Sequence, residues 1–237
     1  MLQVQAIDKR VLELLRKLMQ DKALADFFLV GGTALALQIG HRHSYDLDLF
    51  INRDFDMDAL DSHLKQYYGF NLQTKLKNAL LGRIENTKID FISYKYPIID
   101  KIIEKDGIRM YSNKDIAAMK LSAIASRGVK RDYYDIYFLL EMHSLEDMIQ
   151  FFKKKFRQTE VFHVLKSLTY FDDAEMSDEP KLIADVTWMA VKEKLKINPK
   201  TDALLVVDVQ PTFMPGGGLG VTDGDKIVPK VKELMKL

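Results

Sequence analysis

Apolar positions recur at helical spacing in residues 8–20, where Val11, Leu12, Leu14, Leu15, Leu18 and Met19 share one face. The period then shortens. "DFFLV" reads as a buried strand running into Gly31-Gly32, "TALALQI" as a short helix, and "YDLDLFI" as a strand with period-two alternation. An amphipathic helix is expected at about 56–68, through Met57, Leu60, Leu64 and Tyr68. Three strands follow near 70–76, 79–85 and 88–94, the last containing "KIDFISY". From Ser112 the character changes again. The stretch Ser112 to Asp115 has a capping-box pattern and opens the helix "DIAAMKLSAIA"; Gly128 breaks it, and "RDYYDIYFLLEM" begins another. Residues 144–156 and 159–169 predict further helices, "FDDAEMSDE" an acidic loop, and 180–196 a last helix around Trp188. The fold class expected is α+β, a mixed-sheet half over 1–111 followed by a helical half over 112–198. The stretch "ALLVVDVQPTFMPGGGLGVTDGD" matches nothing before it in composition, so 199–237 is set apart as a third piece.

Composition narrows the class only a little. The chain has 237 residues, 47% of them hydrophobic and 29% charged, which is ample for a core. A net charge of +1 gives no global field toward nucleic acid or membrane. The absence of cysteine removes disulfides, thiolate metal sites and cysteine nucleophiles, and fits a reducing cytoplasm. "MLQVQAIDKRVLELL" lacks the apolar core of a signal peptide, and "FFLVGGTALAL" is too short to span a bilayer. A soluble cytoplasmic protein without a membrane partner is expected.

The chemistry concentrates in "VGGTALALQIGHRHSYDLDLF". On a strand Asp46 and Asp48 project to one side, and Leu47 and Leu49 to the other. Two adjacent carboxylates repel, and a divalent cation removes that penalty. All-oxygen ligands favour a hard ion such as Mg²⁺, held by one or two carboxylates plus substrate phosphates. The Gly31-Gly32-Thr33 turn at a helix start offers backbone N–H groups and a hydroxyl to those phosphates. Asp90, between Ile89 and Phe91 in an expected strand, is the candidate third acid, as metal ligand or as base. Arg42 is placed to steady a phosphate or to pair with Asp46 or Asp48. His41 and His43 flank it without a zinc-like spacing, and Ser44 suits a turn as well as a ligand. Tyr133, Tyr134, Tyr137 and Phe138, at helical spacing, read as core, and "FFKKKFRQ" as a solvated face.

This constellation resembles the polymerase-β-like nucleotidyltransferase superfamily. More narrowly, "FLVGGTALALQIGHRHSYDLDLF" and "DIAAMKLSAIASRGVKRDYYDIYFLL" together resemble the AbiEii/AbiGii toxin family, over about residues 10–195. The resemblance implies a toxin-like component of a type IV toxin–antitoxin or phage-abortive system that transfers a nucleoside monophosphate from an NTP, with Mg²⁺. The acceptor hydroxyl would lie on a tRNA, another RNA or a protein side chain, and a cognate antitoxin is an implied partner. Carried over, Gly32 and Thr33 contact the phosphates, Asp46 and Asp48 hold the metal, Lys120 contacts the triphosphate, and Asp132 is the late acidic motif with Asp135 close by. On the residues alone, Lys120 sits in an apolar stripe with Ile116, Met119, Ala123 and Ile124, where a lysine either snorkels or reaches a polar cleft. Asp132 suits a helix cap as well as a site.

The tail resembles the start of a nicotinamidase of the isochorismatase-like hydrolases, with Asp208 at the place of that family's triad aspartate. Pro211-Thr212 departs from its commoner Asn-Asp, and the cysteine nucleophile is missing. A truncated fragment with no amidohydrolase activity is expected. The alternative to an enzyme is a non-catalytic NTP-binding module, against which the intact aspartates argue.

Overall fold

The computed structural model describes residues 1–196, so the expected third piece at 199–237 lies outside the described residues. Residues Met1–Leu195 form one compact unit, and the change from sheet to helices at 111/112 falls inside it. The architecture is α+β. The first helix, α1 (Lys9–Gln20), is capped by Asp8 and buries Val11, Leu12, Leu15, Leu18 and Met19. It leads to β1 (Phe28–Val30), α2 (Gly31–Ile39), β2 (Leu47–Ile51), α3 (Met57–Tyr68), and a meander of β3 (Asn71–Leu76), β4 (Ala79–Ile84) and β5 (Thr87–Ser93). A hairpin of β6 (Ile103–Lys105) and β7 (Ile108–Met110) completes the sheet. The helical half comprises α4 (Asn113–Arg127), α5 (Lys130–Leu139), α6 (Leu145–Phe156), α7 (Phe162–Leu168), α8 (Asp172–Glu175) and α9 (Trp188–Leu195).

The sheet runs β3-β4-β5-β2-β1-β7-β6. Its centre is β2, parallel to β5 and antiparallel to β1, with Asp48 opposite both Asp90 and Val30. The odd residues Leu47 and Leu49 enter the core, which fixes the register, since a one-residue slip would bury Asp48 in their place. Helix α2 packs on β1, α4 and α5 and so ties the sheet to the helices.

Four local expectations need correction. The hairpin Ile103–Met110 was not anticipated, because its strands are only three residues long; β7 is nonetheless held parallel to β1 through Leu29 and Met110. The last helix covers only Trp188–Leu195: residues 180–187 are instead drawn out along the approach to β2. There the Leu182 backbone bridges to Arg42, and the Lys181 carbonyl accepts from the His43 N–H at 2.8 Å. The acidic loop contains a single helical turn, α8. Finally, "FFKKKFRQ" is not simply a solvated face. Lys155 is fully buried, 2.8 Å from Asp115 Oδ1 and 4.9 Å from the Tyr111 ring centre. Asp115 also accepts the Ile99 and Asp100 N–H groups, so this pair pins the segment after β5 to α4 and α6.

Candidate active site

The three aspartates singled out from the sequence meet in one open cavity of about 280 Å³. Asp46 precedes β2 and Asp48 lies in it, on the face opposite Leu47 and Leu49. Asp90 comes from β5, register-paired with Asp48. Burial first, and then the neighbouring charge of Asp90, push the Asp48 carboxyl up to about 6; Lys88 and Lys120 pull the other way without cancelling this. Asp90 accepts a hydrogen bond from Lys88 Nζ at 2.8 Å through Oδ2, while its Oδ1 is buried without a partner among the described residues. Asp46 is more open, with Arg131 Nη1 at 4.0 Å.

The Gly-Gly turn is forced by what surrounds it. Gly31 has φ +68°, and a Cβ there would stand 2.6 Å from Asp48 Oδ2. A Cβ on Gly32 would stand 2.2 Å from Arg42 Nη2. Both glycines therefore allow the strand-to-helix turn to press against the acid strand and the Arg42 guanidinium. Helix α2 has no side-chain cap at its N-terminus, which leaves its first N–H groups beside the cavity open to an anion. The Thr33 hydroxyl is already used: it donates to the Asp46 carbonyl and pairs with Ser44 Oγ at 2.8 Å, holding the approach to β2 against α2.

Behind this floor runs a buried ion network that the sequence did not disclose. Arg42 lines the cavity, but its ion pair is with neither Asp46 nor Asp48. It grips Asp135 through Nε at 2.7 Å and Nη2 at 2.9 Å, and His41 Nε2 lies 2.6 Å from the same carboxylate. Burial pushes Asp135 up, but the charges of Arg42 and Lys120 outweigh it and hold Asp135 well below the usual carboxylate range. Lys120 reaches the cavity wall, yet its ammonium lies 2.7 Å from Asp132 Oδ1 and 2.5 Å from Asp135 Oδ2. These contacts take two of the three ammonium donors and leave one for a phosphate. Asp132 does not cap α5; its carboxylate receives Lys120 and Arg127, and these cations keep it ionised against the opposing effect of burial.

Three cations at the cavity were missed: Lys88, Arg127 and Arg131. Lys88 had a legible signal, since it is two residues from Asp90 on a strand and so shares its face. Arg127 lies seven residues after Lys120, two turns along the same side of α4.

Among the described residues, no group of three or more His, Cys, Asp or Glu side chains is gathered into a ready metal cage. Asp90 leans toward Lys88, and Asp46 has Arg131 nearby. The donor set still fits Mg²⁺, which needs only one or two carboxylates and completes its shell with water and phosphate. The partnerless Asp90 Oδ1 and the raised Asp48 are the groups such an ion would relieve.

Comparison with known proteins gives a family match over residues 13–205 to "Nucleotidyl transferase AbiEii toxin, Type IV TA system". An uncharacterized protein of Aquifex aeolicus is 33% identical over 196 residues, covering 80% of this chain and 94% of that protein. The nucleotidyltransferase toxin MenT4 of Mycobacterium tuberculosis superposes with a TM-score of 0.48 at 14% identity, covering 71% of this chain and 72% of that one. The antibiotic-resistance factor ANT(2″)-Ia superposes with a TM-score of 0.47 at 15% identity, covering 61% and 92% respectively.

Proposed function

We propose a function from one premise: the chain belongs to the nucleotidyl transferase AbiEii toxin family of type IV toxin–antitoxin systems. The cavity between β2, β5, α2 and α4 transfers a nucleoside monophosphate from an NTP to an acceptor hydroxyl. The observation that carries this reading is the in-register pair Asp48 and Asp90, with Asp48 raised and one Asp90 oxygen left buried and partnerless. Asp46 and Asp48, supported by Asp90, would hold Mg²⁺. When bound, that ion neutralises the carboxylates and polarises the phosphates.

The chain's own residues supply the rest. The uncapped N-terminus of α2, at Gly31, Gly32 and Thr33, directs backbone N–H groups at the triphosphate. Arg127 and Arg131, each about half exposed on the cavity rim, add positive charge. Arg42 and Lys120 act from behind, fixing Asp135 and Asp132 and with them the packing of α2 on α4 and α5. Asp90 takes the proton of the acceptor hydroxyl as its oxygen attacks the α-phosphorus and pyrophosphate leaves.

The acceptor is an RNA, a tRNA included, or a protein side chain, and the activity serves a toxin with a cognate antitoxin in phage-abortive defence. No helix among the described residues is long and apolar enough to cross a membrane, and work in the cytoplasm suits both acceptor classes. Incubating the full chain with α-labelled NTPs, Mg²⁺, and total RNA or total protein tests the reading. Label is expected on a macromolecule, lost with EDTA or in Asp48→Asn. NTP binding without any transfer would make the chain a binding module.

A further inference from the structure

Lys88 differs from the two buried cations of this site and, unlike the half-exposed Arg127 and Arg131, shares a strand with Asp90. Arg42 and Lys120 are 5% and 6% exposed in their side chains and locked onto buried carboxylates. Lys88 is 43% exposed, while its partner Asp90 is 9% exposed. The lysine therefore has room to move and the carboxylate does not. Both side chains leave β5 on the cavity face, with Nζ 2.8 Å from Asp90 Oδ2. The second oxygen of Asp90 is buried without a partner among the described residues, next to Asp48 in register. An ammonium in contact with Asp90 and a divalent cation held by the same carboxylates would repel strongly in so confined a place.

Resting on the reading of this cavity as an NTP and metal site, we propose that Lys88 is an exchangeable counter-ion: it neutralises Asp90 until a divalent cation arrives, then moves to the triphosphate. Lys88 is thus a built-in competitor for the metal and a positioning residue for the nucleotide. The exchange couples the two ligands, because a bound triphosphate offers the displaced lysine a new partner. Metal and nucleotide then each strengthen the binding of the other, beyond what direct coordination gives.

The test compares wild type with Lys88→Met, which keeps most of the aliphatic stem and deletes the charge. Mn²⁺ affinity is measured without nucleotide, and the affinities of the α,β-methylene analogues of ATP, GTP, CTP and UTP are measured with saturating Mn²⁺. Lys88→Met is expected to bind Mn²⁺ about fivefold or more tightly, and to bind the preferred analogue about fivefold or more weakly. Its melting temperature without metal should fall below that of wild type and be restored by Mn²⁺. Lys88→Arg, which keeps a cation against Asp90, should bind Mn²⁺ no more tightly than wild type, and serves if the methionine variant does not fold. Unchanged or weaker Mn²⁺ binding by a folded Lys88→Met, or tighter binding by Lys88→Arg, overturns the exchange. If wild type binds neither Mn²⁺ nor any analogue, the reading of the cavity falls and Lys88's role with it. If wild type binds both and the methionine variant behaves identically, only the role of Lys88 falls.

Discussion

Asp48→Asn isolates the electrostatic strain at the cavity floor. Burial, then the charge of Asp90, places the Asp48 carboxyl at about 6 against an ordinary 3.8. A displacement of roughly 2 units, at about 1.4 kcal/mol each, makes carrying this charge cost about 3 kcal/mol well above pH 6. Because the folded-state value is raised, the cost is present in full above about 6. It fades as the pH falls toward 3.8, below which the carboxyl is protonated whether the chain is folded or not. Asparagine removes the charge, but its amide must find partners in a confined place, which offsets about 1–2 kcal/mol. The net gain expected at pH 8 in EDTA is therefore about 1–2 kcal/mol, or a rise in melting temperature of about 2–8 °C for a chain of this size. Thermal unfolding of both proteins in EDTA at pH 8, 7, 6 and 5 reads this directly. The gap should be widest at pH 8 and close progressively toward pH 5, while the variant transfers no nucleotide. A variant that melts below wild type at pH 8, or a gap that does not change with pH, refutes the argument.

Other substitutions separate floor, frame and tail. Gly31→Ala meets both a positive φ and the Asp48 carboxylate; a loss of about 1–2 kcal/mol from the backbone alone is expected in chemical denaturation, with transfer abolished as Asp48 is pushed aside. Asp135→Asn leaves Arg42, His41 and Lys120 without their shared anion; urea unfolding should show a loss of about 3–5 kcal/mol, and Lys120→Met should likewise lower the melting temperature before it alters nucleotide affinity. Lys155→Met, which strands the buried Asp115, should cost about 3–5 kcal/mol by the same measurement, although it lies in a run that reads as surface. A chain ending near residue 198 should keep its transfer activity, and the full chain should release no ammonia from nicotinamide, since no cysteine nucleophile exists.

Local pattern made much of this fold legible. The alternation around Asp46 and Asp48, the glycine pair that opens α2 and the Ser112 cap of α4 each act within a few residues, and the corresponding elements stand where the pattern puts them. The β6–β7 hairpin was also within reach, because Asp106-Gly107 between alternating residues is a turn signal, and both positions do take positive φ. What could not be read is long-range pairing. Arg42 finds Asp135 ninety-three residues away, and nothing near either one announces the other. Lys155 sits in a run of three lysines, and only the fold presents Asp115 and the Tyr111 ring to the third of them. Residues 180–187 have a helical composition, but the Lys181 carbonyl pairs with His43 and the Ile183 and Ala184 N–H groups with His41, so tertiary hydrogen bonding overrode propensity. At the site, the three acids do share one cavity, whereas nothing in the sequence names Asp135 and Asp132 as the partners of Arg42 and Lys120. Carboxylate clusters follow from strand register, whereas the partner of a long basic side chain is chosen by the packing around it.

The most direct measurement is the position of Mn²⁺, by its anomalous scattering, in crystals of the full chain grown with an α,β-methylene NTP. The account predicts one ion in contact with Asp46 and Asp48, the triphosphate at the N-terminus of α2, and Lys88 turned away from Asp90. An ion bound elsewhere, or a triphosphate outside the cavity formed by Gly31, Asp48 and Asp90, would contradict it.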